Sequence, residues 1–255
     1  MISHQLLMVD SLNTQIYETE EDLSIGAAKI GQEYLENILQ NKSEATILLA
    51  TGNSQLKFLD KLIASQKIDW SRINLFHLDE YLGIDGKDAA SFRFYLHERV
   101  EKRINPKAFH YLIGDTLEPL DECDRYTELL KKHPIDLCCL GVGVNGHLAF
   151  NEPQVANFND PRWVKIVRLD QQTRWVQVHQ GHFQDFERVP KYAVTVTIPT
   201  ILSAQKIICL ATGENKAEII KEILQGGISK HCPASVLRQH SDATLFLDKE
   251  SAALL

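Results

Sequence analysis

Short apolar runs alternate along this chain with segments whose apolar residues recur at helical spacing, and this alternation restricts the fold more than any other feature. Strand-like runs lie at 45–50, 73–78, 135–141, 163–169, 192–198, 206–211 and 243–247, and helical patterns at 21–40, 54–65, 91–103, 120–132 and 214–224. Strands that alternate with helices form mostly parallel sheets, because each parallel connection needs a crossover and a helix usually supplies it. The sequence therefore predicts a single-domain α/β fold over residues 1–255: a Rossmann-like, mostly parallel sheet with helices on both faces. We expect 163–169 to be a fourth central strand.

Charge and cysteine content exclude several classes of function. The formal net charge is −7 and no basic cluster is present, which argues against a nucleic-acid or membrane-surface partner. The five cysteines, at 123, 138, 139, 209 and 232, form no C-x-x-C pair, so we interpret them as reduced core residues and expect no metal site. The first residues lack a signal-peptide pattern and no apolar run approaches the length of a membrane span, so we expect a cytoplasmic protein.

The most informative local motif follows the apolar run at 135–140. Residues 140–153 read LGVGVNGHLAFNEP and bring an amide, an imidazole and a carboxylate together as Asn145, His147 and Glu152. Glycines allow a backbone to approach a ligand closely, and α/β proteins bind ligands where strands end. We expect Glu152 to hydrogen-bond the His147 ring and set its tautomer. The alternative is an ordinary strand-to-helix turn with a solvent-facing histidine.

A second strand end carries two adjacent carboxylates. The run at 73–78 is followed directly by Asp79 and Glu80. Carboxylates are costly to bury unpaired, so one of the two is expected to be structural and the other a candidate general base with a raised pKa.

A third strand end carries small and hydroxyl-bearing residues: Thr51, Gly52, Asn53 and Ser54. A turn of this kind before a helix points backbone N–H groups at one spot, where the helix dipole also favours an anion such as a phosphate. The alternative is that Ser54 simply caps the helix.

Taken in order, these segments resemble the family of glucosamine-6-phosphate deaminases and 6-phosphogluconolactonases over nearly the whole chain. The resemblance is carried by LATGNS at 49–54, LDEYLG at 78–83, NGHLAFNEP at 145–153, VPKYAVTV at 189–196, ATGENKA at 211–217 and PASVL at 233–237. The string GHLAFNEP resembles the deaminase branch in particular.

The resemblance implies an isomerisation of a phosphorylated amino sugar coupled to loss of ammonia, with a small-molecule phosphosugar as substrate and no cofactor or metal. By the family's pattern Asp79 would be the base, and His147 would open the sugar ring, with Asn145 and Glu152 as orienting partners. The turn 51–54 and Lys216 would hold the phosphate; without the resemblance, Lys216 would be interpreted as a solvated surface residue.

The chain also departs from the family's pattern. Asn145 stands where many members carry an acid, and Gln55 replaces a common proline. The segment 173–183 lacks the arginine that deaminases place near the phosphate, and His182 is the candidate closest to that position. Two other functions stay open, a 6-phosphogluconolactonase and a non-catalytic phosphosugar-binding regulator. The sequence also leaves open whether the protein forms a homo-oligomer.

Overall fold

The computed structural model describes residues 4–255 and contains the predicted alternation of strands and helices. The strands are β1 His4–Val9, β2 Leu12–Tyr17, β3 Ala45–Leu49, β4 Ile73–His77, β5 Asp79–Tyr81, β6 Ala108–His110, β7 Leu137–Gly141, β8 Val164–Arg168, β9 Tyr192–Val196, β10 Lys206–Ala211 and β11 Ala243–Asp248. The helices are α1 Glu20–Asn41, α2 Asn53–Ile63, α3 Phe92–Arg99, α4 Pro119–Lys132, α5 Gln171–His179, α6 Ile198–Leu202 and α7 Ala217–Gln225. Within the described part of the chain, none of these helices is long and apolar enough to cross a membrane.

The main sheet has eight strands within residues 4–255, in the order β1-β2-β11-β10-β7-β3-β4-β6. Every neighbouring pair is parallel except β1 and β2, which form an antiparallel hairpin at one edge. The chain runs outward from β3 through β4 to β6 and then returns to the other side of β3 as β7. The strand order therefore reverses between β3 and β7, and open α/β sheets bind ligands beside such a reversal.

Helices cover both faces of this sheet, as predicted, because successive strand residues are buried on opposite sides. In β3, Leu48 packs in one apolar cluster, and Ile47 and Leu49 pack in another. The first cluster includes residues of α4 and α7, and the second includes residues of α1, α2 and α3. All five cysteines are buried, which agrees with their interpretation as core residues.

One strand assignment is wrong. The segment predicted as a fourth central strand is β8, which belongs to a separate antiparallel sheet with the order β5-β9-β8. Parallel strands buried on both faces and short antiparallel strands can have equally apolar sequences, so their pattern alone did not separate the two. The small sheet matters for the site because β5 begins at Asp79 and a single residue, Leu78, separates it from the end of β4.

Five further elements were not predicted: the β1–β2 hairpin, the strands β5 and β6, and the helices α5 and α6. The predicted helices at 91–103 and 214–224 each include a 3-10 segment, at Glu101–Arg103 and Glu214–Lys216, next to α3 and α7. The remaining predicted segments agree with the structure to within about two residues at their ends.

Candidate active site

A cavity of about 220 Å³ opens where the strand order of the main sheet reverses. It lies between the turn that follows β3 and the loop that follows β7, beside Asp79 at the start of β5. Its lining residues are Ala50, Thr51, Gly52, Asn53, Ser54, Leu78, Asp79, Ala89, Ala90, Ser91, Phe92, Tyr95, Gly141, Val142, His147, Ala149, Phe150, Thr173, Gln177, Gln180 and His182. The three strand ends singled out in the sequence therefore meet in one place.

Asp79 presents a buried carboxylate to this cavity. The residue is 8 % exposed, and its carboxylate makes no hydrogen bond or ion pair with any residue in the described range 4–255. Burial raises the pKa of the Asp79 carboxyl well above its usual range, and the neighbouring charge of Glu80 raises it further. A carboxylate with a raised pKa and no structural partner is suited to accept and return a proton.

Glu80 is the structural member of the pair. Its Oε1 accepts from Tyr81 N (2.9 Å) and Phe92 N (3.1 Å), and its Oε2 accepts from Ser91 Oγ (2.7 Å) and Arg93 N (2.8 Å). Three of these donors lie at the start of α3, where backbone N–H groups have no partner within the helix. Glu80 thus holds the wall of the cavity that Ser91 and Phe92 form, and only Asp79 keeps a free carboxylate.

The imidazole of His147 is held by Asn145. Asn145 Oδ1 lies 2.7 Å from His147 Nδ1 and 3.2 Å from His147 N. The backbone N–H can only donate, so Oδ1 is the acceptor in both contacts and Nδ1 carries the ring proton. Burial lowers the pKa of His147 to about 4, and the positive charge of Lys216 also lowers it. The ring is therefore neutral near pH 7 with Nε2 free to accept a proton.

One glycine makes room for this ring, and a second allows the turn that precedes it. A Cβ added at Gly143 would lie 2.2 Å from the His147 ring, so no other residue fits beneath the imidazole without moving it. Gly146 has φ +79°, and a Cβ there would meet Cys232 Sγ at 3.0 Å. The glycines of the motif are thus required by the close approach of the ring and by the turn that precedes it.

The expected hydrogen bond between Glu152 and the His147 ring is wrong. Glu152 Oε2 accepts from Asp170 N at 2.7 Å, at the N-terminus of α5. The loop turns sharply before Glu152, since Asn151 N donates to Leu148 O at 3.0 Å, and this turn directs the carboxylate to α5. Asn145, which lies two residues from the histidine, holds the ring instead.

The turn at 51–54 opens directly into α2. Gly52 is the N-cap with φ +105°, and no side chain caps the helix, so the alternative role of Ser54 as a cap does not apply. Ser54 Oγ instead lies 3.4 Å from Gln55 Nε2, whose amide also donates to Leu140 O at 2.9 Å. The uncapped start of an eleven-residue helix therefore faces the cavity, as an anion site requires.

Lys216 lies at the border of the cavity, outside the set of lining residues. Its Nζ donates to Val142 O at 2.7 Å, and Val142 is itself a lining residue. Burial lowers the pKa of Lys216 to about 8. The interpretation of this residue as a solvated surface lysine is therefore wrong, since the ammonium is partly buried and hydrogen-bonded beside the loop that carries His147.

Comparison with known proteins places the chain in a family. Residues 18–246 match the family described as glucosamine-6-phosphate isomerases/6-phosphogluconolactonase. The chain belongs to this family. Glucosamine-6-phosphate deaminase of Bacillus cereus (strain G9842) is 35% identical over 243 residues, which are 95% of this chain and 89% of the relative. The glucosamine-6-phosphate deaminase of Bacillus thuringiensis (strain Al Hakam) has the same identity and coverage.

Solved structures of this family have the same fold. A monomeric glucosamine-6-phosphate deaminase superposes with a TM-score of 0.87 at 33% identity, covering 95% of this chain and 99% of that one. A 6-phosphogluconolactonase from Thermotoga maritima superposes with a TM-score of 0.76 at 21% identity, and the alignment covers 92% of this chain and 100% of that one. At 21% identity, this second similarity shows that the two proteins have the same fold.

Several residues of the site were not predicted from the sequence. Gln177 and Gln180 reach the cavity from α5 and its C-terminal end, and His182 follows them with its pKa lowered by burial. His182 was the candidate for the phosphate side, and it does line the cavity. The apolar residues of α5 show neither clear helical spacing nor the alternation of a strand. The sequence therefore does not indicate that α5 forms a wall of the cavity.

Tyr95 is a further site residue that was not predicted from the sequence. It lines the cavity from α3, and its hydroxyl is buried without a hydrogen-bond partner in the described part of the chain. Burial raises the pKa of Tyr95 to about 12, so the hydroxyl keeps its proton at neutral pH. A buried hydroxyl without a partner at the wall of a cavity is available to donate to a bound ligand.

Proposed function

We propose that this protein converts glucosamine 6-phosphate and water to fructose 6-phosphate and ammonia. The observation that carries the proposal is the pairing, in one cavity, of the unpartnered Asp79 carboxylate with the neutral His147 imidazole. An aldose–ketose isomerisation needs a base for the C2 proton and a second group for the ring oxygens, and these two residues supply both. The relatives named glucosamine-6-phosphate deaminase support the choice of substrate.

Each group has one role in the proposed sequence. His147 Nε2 takes the proton of the C1 hydroxyl and returns it to the ring oxygen, so that the ring C1–O bond breaks and the aldehyde forms. Asp79 then removes the C2 proton while the substrate's ammonium group gives a proton to the C1 oxygen, which leaves a neutral enolamine. Asp79 returns its proton to C1, and the C2–N bond becomes an iminium. Water adds to C2 and passes a proton to the nitrogen, the C2–N bond breaks, and the departing ammonia takes the last hydroxyl proton as the ketone forms.

The substrate phosphate is proposed to lie at the start of α2. Backbone N–H groups of the turn 51–54 and the partial positive charge of the helix favour an anion there. Lys216 adds a cation beside Val142, at the border of the cavity, and its lowered pKa reflects burial that a bound phosphate dianion would offset. These contacts form equally in the ground state and the transition state, so they act on affinity.

We further propose that the enzyme works in the cytoplasm in the breakdown of amino sugars. Five buried thiols and an acidic surface charge are consistent with a reducing compartment and with a small-molecule substrate.

The decisive experiment is an ammonia-release assay with glucosamine 6-phosphate on the wild type, on Asp79→Asn and on Asp121→Asn. Removing a general base costs about 10²- to 10⁴-fold in rate, so Asp79→Asn should lose activity by that factor while still binding fructose 6-phosphate. Asp121 is exposed in the first turn of α4, away from the cavity, and its variant is the matched control. Asp79→Asn turnover within a few-fold of wild type would contradict the proposal.

A lactonase assay on the same proteins separates the main alternative. Hydrolysis of 6-phosphogluconolactone needs His147 to activate water but makes no use of a proton at C2, so Asp79 would be dispensable. Lactone hydrolysis that survives Asp79→Asn, in a protein that releases no ammonia, would assign the lactonase function. Tight phosphosugar binding without either activity would assign a regulator.

A further inference from the structure

A fully buried histidine lies directly before the proposed base and contacts its backbone. His77, the last residue of β4, is 0 % exposed. Its Nε2 lies 2.8 Å from Leu112 N, and its Nδ1 lies 2.9 Å from the carbonyl oxygen of Asp79. Neither ring nitrogen faces the cavity, so this imidazole has no part in the chemistry described above.

The two contacts determine which nitrogen carries the proton. Leu112 N–H can only donate, so Nε2 of His77 must be the unprotonated acceptor. Nδ1 then carries the proton and donates it to Asp79 O. Burial lowers the pKa of His77 to about 3, so the ring stays neutral and keeps this tautomer at neutral pH.

The backbone of His77 is also held on both sides, by a single hydroxyl. Tyr126 OH accepts from His77 N at 2.8 Å and donates to His77 O at the same distance. Tyr126 belongs to α4 and is itself fully buried, so α4 and the chain around Leu112 both hold this one residue in place.

The position of His77 coincides with the point where the chain leaves one sheet for the other. Leu78 N still bonds to Leu49 O in the main sheet at 3.0 Å, whereas Leu78 O accepts from Val196 N in the small sheet at 2.8 Å. Asp79 is the first residue of β5 and pairs with Thr195. Because the Asp79 carboxylate has no partner of its own within residues 4–255, its direction depends on the orientation of its backbone at this crossover.

We propose that His77 is the positioning residue for Asp79: its Nδ1–H fixes the Asp79 carbonyl at the crossover between the two sheets and thereby aims the carboxylate into the cavity. This inference rests on the proposed function, in which Asp79 moves the proton between two carbons of the substrate. A base that transfers a proton between adjacent carbons must be placed closely, and a misplacement of about 1 Å can cost about 100-fold in rate.

Two substitutions separate this role from plain structural support. In His77→Asn the amide nitrogen falls where Nδ1 lies and can still donate to Asp79 O, but the bond from Leu112 N is lost. In His77→Gln the amide reaches the position of Nε2 and can accept from Leu112 N, but the donor to Asp79 O is lost. Each variant removes one buried hydrogen bond and the same ring, so both should lower Tm by similar amounts.

We expect kcat for ammonia release to stay within about threefold of wild type in His77→Asn and to fall roughly 10- to 100-fold in His77→Gln, with KM little changed in both. Equal losses of kcat in the two variants, or losses that simply follow Tm, would overturn the inference. Ammonia release by the wild type tests the proposed function separately, before any variant is compared.

A measurement on the wild type keeps the inference testable if a variant fails to fold. In protein labelled with ¹⁵N at histidine, the His77 ring should show a protonated Nδ1 and an unprotonated Nε2 at pH 7. The opposite tautomer, or a doubly protonated ring, would overturn the proposed donor to Asp79 whether or not the protein releases ammonia.

Discussion

His147 and Asn145 form a closed pair within one turn, in which Asn145 Oδ1 accepts from both the backbone N–H and the Nδ1–H of the histidine. The pair assigns the ring tautomer without help from any distant residue. It also leaves Nε2 as the only ring atom that can exchange a proton with a substrate. An amide is sufficient for this orienting role because it supplies the acceptor oxygen without adding charge.

Replacing that amide by a carboxylate should move the pH dependence. In Asn145→Asp a negative charge next to the ring favours the imidazolium, so the His147 limb of the kcat/KM profile should move up by about one pH unit. Lys216 lowers and Asp170 raises the pKa of this ring in the wild type, and both remain in the variant. Glu152→Gln is the matched control, because Glu152 bonds to Asp170 N and should leave the limb in place. A shift in Glu152→Gln but not in Asn145→Asp would contradict the geometry.

Glu80→Gln should lower the pH at which the base is protonated. The charge of Glu80 raises the pKa of Asp79, so its removal should move the Asp79 limb of kcat/KM to lower pH. The amide cannot accept from all four donors, of which three lie at the start of α3 and one is Tyr81 N, so Tm should also fall. Leaving a buried donor unsatisfied costs about 1–3 kcal/mol. An Asp79 limb that stays in place or moves upward would show that Glu80 does not act on the charge of Asp79.

Lys216 should control affinity in a pH-dependent way. With a pKa of about 8 the ammonium is charged below that pH and is lost above it, so kcat/KM should fall as the pH rises through 8. Lys216→Met should raise KM and remove this alkaline limb, while Lys216→Arg should keep the charge and move the limb out of range. If Lys216→Met lowered kcat at constant KM, the residue would have a chemical role instead.

The hydroxyl of Tyr95 should contribute to substrate binding. Tyr95→Phe removes one neutral donor from the cavity wall, a change of about 0.5–1.5 kcal/mol, so KM should rise a few-fold to about tenfold. Tyr34→Phe is the control, because its hydroxyl donates to Asp136 O at 3.1 Å and does not line the cavity. Calorimetry with fructose 6-phosphate would check the effect without turnover. Equal affinities for wild type and Tyr95→Phe would show that this hydroxyl does not bind the ligand.

Acid should destabilise the wild type through His77. The pKa of His77 is about 3 in the folded protein, below the value of about 6.5 for an unfolded histidine, so the unfolded state binds the proton first. The contribution of the neutral His77 ring to the free energy of unfolding is fully present above about pH 6.5. It should decrease by roughly 1.4 kcal/mol per pH unit as the pH falls toward 3. The stability difference between wild type and His77→Asn, measured by urea unfolding at pH 7, 6 and 5, should therefore shrink with falling pH. A constant difference would contradict the buried neutral ring.

The sequence by itself determined the architecture and the three segments that meet in the site. Apolar runs long enough for buried strands, separated by helical patterns, are a local property of the chain, and they predicted the parallel core from β3 to β11. The glycine, hydroxyl and carboxylate residues that follow β3, β4 and β7 could be located because the carboxyl ends of parallel strands lie at one edge of a sheet. By that rule the turn 51–54, Asp79 and His147 belong to the same edge of the sheet.

Only the tertiary structure decided which of these groups are free to react. The pattern of residues alone does not distinguish Asp79 from Glu80. They differ in the structure because Glu80 contacts the start of α3 while Asp79 faces the cavity. Glu152 lies near His147 along the chain but is directed to α5 by the turn before it. The contacts of His77 with Leu112 and Tyr126 join residues that are 35 and 49 positions apart. Partners at such separations are selected by packing across the whole fold, and no local pattern of residues encodes them.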